Sequence, residues 1–283
     1  MYESYYHFQA KPFQLSPDPR FFFASRGHRR AMAYLVYGAQ QGEGFIVITG
    51  EIGAGKTLLG NALAGKLASQ NVVLAHVVST HLKADDVVRM VAAAFGLPQQ
   101  RNKAALLNSV EQFLVACHGQ GKRALLIVDE AQNLPANSVE ELRMLSNYLC
   151  AAQPVLQIFL LGQPEFRKML RRPGMEQLRQ RVIASCHLGP MGSAETEAYI
   201  IHRLQTVGWR DDPSFSPDAF TAIFQHSGGI PRKINVLCDR LLLFGRLEEK
   251  HEFNAEDVVE VIDDFQQDEF APAEWRSDRE VGT

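Results

Sequence analysis

The stretch Gly50-Glu51-Ile52-Gly53-Ala54-Gly55-Lys56-Thr57 decides how the chain is read. It follows the apolar run Phe45-Ile46-Val47-Ile48-Thr49 and precedes Leu58-Leu59-Gly60-Asn61-Ala62-Leu63. Strand, glycine-rich loop and helix therefore come in that order, with the loop spaced as GxxxxGK(S/T). A polyphosphate imposes each residue type there. Glycines let backbone N–H groups curl around an anion where a Cβ would hold the chain off. The first turn of the helix adds unpaired N–H groups and the positive end of its dipole. Lys56 supplies a point charge for the outer phosphates, and the Thr57 hydroxyl is placed to ligate Mg²⁺. Residues 50–58, ending at Leu58, are the candidate nucleotide contacts.

The chain of 283 residues is long enough for one large core or two modest ones, and its 46% hydrophobic and 22% charged content is ordinary for a globular protein. Cys117, Cys150, Cys186 and Cys238 form no CxxC pair and read as free thiols. No apolar stretch reaches the roughly 18–20 residues needed to span a bilayer, and the N-terminus lacks a signal-type apolar core. A soluble, cytoplasmic protein is expected. Net charge is −3, so no global basic field points to nucleic acid.

The first thirty residues alternate aromatics with prolines, as in Pro12-Phe13, Pro17-Asp18-Pro19 and Phe21-Phe22-Phe23, and predict an extended strap anchored by its rings. Residues 31–190 predict an α/β domain with a parallel sheet and helices on both faces. Its strands fall at 45–49, 72–78, 124–128, 154–161 and 182–188, with helices at 31–37, 85–95 and 104–117. Asn137 with Glu140 three residues on predicts an N-cap for a helix through Leu142, Leu145 and Leu149. After Gly189-Pro190 strand signals stop. Helices at 194–207, 217–226, 231–245 and 255–265 predict a small all-helical domain over 191–266. Ser216 before Pro217, and Asn254 with Asp257, mark two of the helix starts. Residues 267–283 read as an acidic tail.

Val128-Asp129-Glu130 ends the central strand, at the edge of a parallel sheet where ligands bind. Asp129 suits Mg²⁺ held through water, and Glu130 suits the orientation and deprotonation of an attacking water. Gln163, after the strand ending at Gly162, falls where a side chain can sit near a γ-phosphate. A basic run follows: Arg167, Lys168, Arg171 and Arg172, then Arg179 and Arg181. Arg181 or Arg179, just before a strand, is placed to reach a phosphate bound by a neighbouring subunit, a contact worth about 10³–10⁵ in rate. In the second domain Gly228-Gly229-Ile230-Pro231-Arg232 opens a helix, and Arg232 at its start is a candidate reader of the γ-phosphate.

Together these motifs resemble an AAA+ ATPase: residues 50–57 as Walker A, Val128-Asp129-Glu130 as Walker B, Gln163 as sensor 1, and Arg181, with Arg179 as competitor, as arginine finger. Arg232 in Gly-Ile-Pro-Arg matches sensor 2. The resemblance implies the AAA+ fold, a P-loop αβα sandwich followed by a helical lid. Pro12-Phe13, Pro17-Asp18-Pro19, Gly42-Glu43-Gly44, Asp129-Glu130-Ala131-Gln132, Leu161-Gly162-Gln163-Pro164-Glu165 and Gly229-Ile230-Pro231-Arg232 are similar to the GspA/ExeA-type secretion ATPases. The length is most similar to the branch associated with the XrtA/PEP-CTERM system. The resemblance covers residues 1 to about 265. It implies ATP and Mg²⁺ as cofactors, a strap that helps enclose the adenine, and a homo-oligomer, ring or filament, with shared sites. It further implies a protein partner in envelope secretion or exopolysaccharide export, with peripheral placement at the inner membrane through that partner. Where the family has a second threonine after Thr57, this chain has Leu58, at a position not expected to ligate. The same branch is similar to transposition ATPases, which implies DNA binding as the alternative, with the basic run tracking phosphates. A helicase box at 129–132 is a third reading, and the lack of a second αβ domain counts against it.

Overall fold

A computed structural model describes residues 1–67, 71–79, 84–100 and 102–267, and in it the chain forms two compact units. One is residues 26–189; the other joins residues 1–25 to the chain from Pro190 onward. The chain opens with α1 (Tyr2–Tyr5) and a 3₁₀ turn at Pro19–Phe21. The α/β unit then runs α2 (Arg26–Gln41), β1 (Phe45–Gly50), α3 (Lys56–Leu67), β2 (Val72–Val78), α4 (Ala84–Ala94), α5 (Lys103–Gly119) and β3 (Arg123–Asp129). It continues through α6 (Ala136–Leu145), β4 (Leu149–Cys150), β5 (Gln153–Pro154), β6 (Leu156–Gly162), α7 (Pro164–Leu170), α8 (Glu176–Arg179) and β7 (Val182–Leu188). The second unit resumes with α9 (Ser193–Thr206), β8 (Ser214–Phe215), α10 (Pro217–Ser227), α11 (Pro231–Leu247), β9 (Glu252–Phe253) and α12 (Ala255–Gln267). The acidic tail expected from 267 lies, apart from Gln267, outside the described residues.

Five strands form one parallel sheet in the order β2-β3-β6-β1-β7. Strands β1 and β6 are buried along their whole length, and β3 from Ala124 onward, which is why these segments read as unbroken apolar runs. Because every strand points the same way, the loops after β1, β3 and β6 open at one edge of the sheet. Helix packing on the sheet is close. A Cβ on Gly38 of α2 would stand 1.8 Å from Ile46 Cδ1, and one on Gly60 of α3 would stand 3.2 Å from Leu161 Cδ1.

Helix α6 starts at Ala136 with Pro135 at its N-cap and no side-chain cap. Asn137 lies inside the first turn, its Oδ1 accepting from the Ser138 N–H at 3.0 Å, while Glu140 pairs with Arg143 at 2.6 Å. Leu149 belongs to a hairpin strand and is 57% exposed. The hairpin turns at Ala151 and Ala152, both left-handed at φ 50° and 65°, a conformation usually given to Asn-Gly. Helix α2 also begins earlier than residue 31, at Arg26, because His28, Ala31, Met32 and Leu35 make one buried face among exposed arginines.

In the second unit, Tyr2, Tyr6, Phe8, Phe13 and Phe21 of the N-terminal segment join one apolar core with α9 to α12. Arg203 on α9 fixes the segment. Its guanidinium, in a residue 4% exposed, donates to the Pro12 and Gln14 carbonyls at 2.5 and 3.0 Å and lies 4.5 Å from the Phe21 ring centroid. Ser216 caps α10 through the Ala219 N–H, and Asn254 and Asp257 cap each other's backbone at 2.9 and 3.1 Å. This unit is not wholly helical: β8 and β9 form a two-residue parallel ladder.

Candidate nucleotide site

The loop between β1 and α3 is shaped by its glycines. Gly53 and Gly55 sit at φ 78° and 90°, and a Cβ on Gly55 would stand 2.8 Å from His28 Nε2. Both the backbone conformation and the neighbouring ring therefore demand glycine there. His28 on α2 is buried at 8% exposure and packs against the loop, a contact that no motif in the sequence announces.

Lys56 is 5% exposed and its ammonium donates to the Gly50 and Glu51 carbonyls at 2.9 and 3.0 Å. Burial pushes its pKa down, while the carboxylates of Glu130, Asp129 and Glu51 push it back up. The charge is thus held over the mouth of the loop by backbone acceptors. Thr57 Oγ1 donates to Asp129 Oδ2 at 2.5 Å, and the other Asp129 oxygen accepts the Glu130 N–H at 2.8 Å. A hydroxyl and a buried carboxylate oxygen in contact are hard donors that suit Mg²⁺. Two protein oxygens are too few for a dedicated cage, and Mg²⁺ ordinarily completes its octahedron with water and substrate phosphates.

Glu130 is left-handed at φ 54°, a strained conformation for a non-glycine residue. Its Oε2 accepts from Gln132 Nε2 at 2.5 Å and from Gln163 Nε2 at 3.3 Å. Gln132 also accepts the Gln163 N–H on its Oε1 at 2.9 Å, so it ties the loop after β3 to the end of β6. Sequence reasoning quoted Gln132 within a motif and gave it no task. Its short spacing from Glu130 was the available signal.

Lys56, Thr57, Asp129, Glu130 and Gln163 therefore gather at one edge of the sheet. Arg181 does not join them. Its carbonyl accepts the Phe45 N–H at 2.9 Å, which places it where β1 and β7 begin. A seven-residue strand spans roughly 20 Å, beyond the reach of an arginine side chain from one edge to the other. Arg181 is exposed and its Nη1 donates to Ser146 Oγ at 3.2 Å. Arg179 is tied down: its Nη1 donates to the Leu170 and Arg172 carbonyls at 2.7 and 3.3 Å, and its Nη2 reaches Glu176 at 3.3 Å. Arg232 opens α11 in the other unit and is exposed.

Residues 39–170, which span this site from the end of α2 to α7, match the protein family described as AAA domain. The chain is also 37% identical over 245 residues to General secretion pathway protein A of Aeromonas hydrophila. That similarity covers 86% of this chain but 44% of the relative, so the chain spans less than half of that protein's length. Among solved structures, Cdc6p from Pyrobaculum aerophilum aligns with a TM-score of 0.72 at 13% identity, covering 89% of this chain and 70% of that one. The Aeropyrum pernix ORC2 protein, solved in ADPNP–ADP complexes, aligns at 0.68 and 17% identity over 90% of this chain and 71% of its own. The RuvB branch migration motor of Thermotoga maritima aligns at 0.56 and 16% identity, over 85% and 69%. These likenesses agree with the parallel-sheet AAA fold. Among the described residues no helix is long and apolar enough to cross a membrane.

Proposed function

We propose that the protein hydrolyses ATP-Mg²⁺ at the interfaces of a homo-oligomer and uses the turnover to drive or regulate assembly of an envelope secretion or exopolysaccharide export system. The observation that carries the catalytic half is the gathering of Lys56, the Thr57–Asp129 pair and Glu130 at one edge of the sheet. In this reading the loop amides and Lys56 bind the β- and γ-phosphates. Mg²⁺, when bound, neutralises charge developing on the phosphates; Thr57 and Asp129 hold it. Glu130 orients and deprotonates the attacking water, and Gln163 stands beside it at the end of β6. Arg181 serves a neighbouring subunit, since it is too far from its own loop and, unlike Arg179, is not spent on local carbonyls. Arg232 reads the γ-phosphate from the helical unit.

The secretion part of the cellular half rests on the 37% identity to a general secretion pathway protein, and the exopolysaccharide part rests on the resemblance in chain length alone. Steady-state phosphate release with ATP, with and without Mg²⁺, tests the catalytic half. The proposal expects release that stops on chelation and in Lys56→Ala. Release that persists in both would overturn it.

A further inference from the structure

We propose that a groove in the α/β unit, separate from the glycine-rich loop, binds a small phosphorylated ligand. The groove encloses about 400 Å³, within the roughly 300–1,000 Å³ of small-molecule sites. Its floor is the sheet edge where Thr49 and His187 are register partners, with Thr49 Oγ1 and His187 Nδ1 3.1 Å apart, and Ser185 lies beside them. Its wall is Arg167 on α7 and Arg171, four residues on at that helix's C-cap, with Arg179 of α8.

Three arginines, Thr49, Ser185 and His187 therefore line one groove, and no aspartate or glutamate is among its lining residues. Arg179 is held in place by the Leu170 and Arg172 carbonyls and by Glu176, whose carboxylate its Nη2 reaches at 3.3 Å. Lys168, which does not line the groove, pairs with Glu165 at 3.8 Å. Among the described residues, Arg167 and Arg171 have no ion-pair partner. Two unpaired guanidiniums beside a third make a fork suited to phosphate oxygens. Val47, Leu170 and Val182 add an apolar patch for the body of the ligand. A half-open groove of this size with an apolar patch beside its cations fits a small phosphate ester with a hydrophobic body, whereas a nucleic-acid strand would call for an extended charged track.

The test is calorimetric titration of phenyl phosphate into the full chain, with the glycine-rich loop saturated by a non-hydrolysable ATP analogue and Mg²⁺. One-site binding is expected, weakened roughly tenfold or more in Arg167→Ala/Arg171→Ala with an unchanged melting temperature. Lys168→Ala/Arg172→Ala is expected to bind as the parent does. Absence of binding, or equal loss in both double variants, would overturn the proposal. So would single-stranded DNA that binds through Arg167 and Arg171 while phenyl phosphate does not. Repeating the titration on Lys56→Ala without nucleotide separates this proposal from the ATPase reading, because groove binding is expected to persist there.

Discussion

Gln132 Nε2 donates to Glu130 Oε2 at 2.5 Å, and the same carboxylate oxygen lies 3.3 Å from Gln163 Nε2. The proposed base is thus steered by two amides, one from its own loop and one from the end of the neighbouring strand. Gln132→Ala removes the nearer amide and the link to the Gln163 backbone. We expect kcat for ATP to fall about tenfold with KM little changed, since water orientation is lost and nucleotide contacts are not. Partial recovery in Gln132→Asn would show positioning, and an unchanged kcat in Gln132→Ala would remove Gln132 from that role.

The Thr57–Asp129 contact pairs the two oxygens proposed to hold Mg²⁺. Asp129→Asn keeps the shape of the side chain and removes its charge. The Mg²⁺ concentration for half-maximal turnover should rise about 10–100-fold, as for other groups that act on a metal through its water. Nucleotide affinity measured in chelator should change little. An unshifted Mg²⁺ dependence would contradict the assignment of Asp129.

Gly55 is constrained twice, by φ 90° and by the His28 ring 2.8 Å from where a Cβ would stand. Gly55→Ala should cost about 1–3 kcal/mol in denaturant unfolding and lose nucleotide binding. Adding His28→Ala relieves the clash but not the dihedral, so the double variant should recover stability only in part. Full recovery would show that the ring alone excludes a side chain.

The two arginines before β7 separate by what they already hold. Arg179→Ala frees the Leu170 and Arg172 carbonyls and should destabilise the α7–α8 junction by about 1 kcal/mol. Arg181→Ala should abolish turnover with affinity intact, and mixing it with Lys56→Ala should restore part of the activity through hybrid interfaces. A fully active Arg181→Ala, or no recovery on mixing, would contradict the shared site.

Much of the fold was legible because its residues answer to single constraints. β1, the glycine-rich loop and α3 follow from the GxxxxGK(S/T) spacing, and β3 and β6 from buried apolar runs. Ser216 and Asn254 marked their helices because their side chains do the capping. Asn137 misled because a proline at 135 starts α6 with no side-chain acceptor. The β4–β5 hairpin was hidden by Ala151 and Ala152, which adopt a turn conformation their type rarely signals. At the site, Asp129 and Glu130 stand out by ending an apolar strand. The task of Gln132, and the difference between Arg179 and Arg181, depend on which atoms each side chain meets across the fold, and no local spacing carries that.

The most direct measurement is ATP turnover and ATP retention in Glu130→Gln. The amide keeps the size of the side chain and loses its capacity to take a proton. We expect phosphate release to fall about 10²–10⁴-fold while ATP and Mg²⁺ stay bound with parental affinity. Turnover at the parental rate in Glu130→Gln would contradict the account.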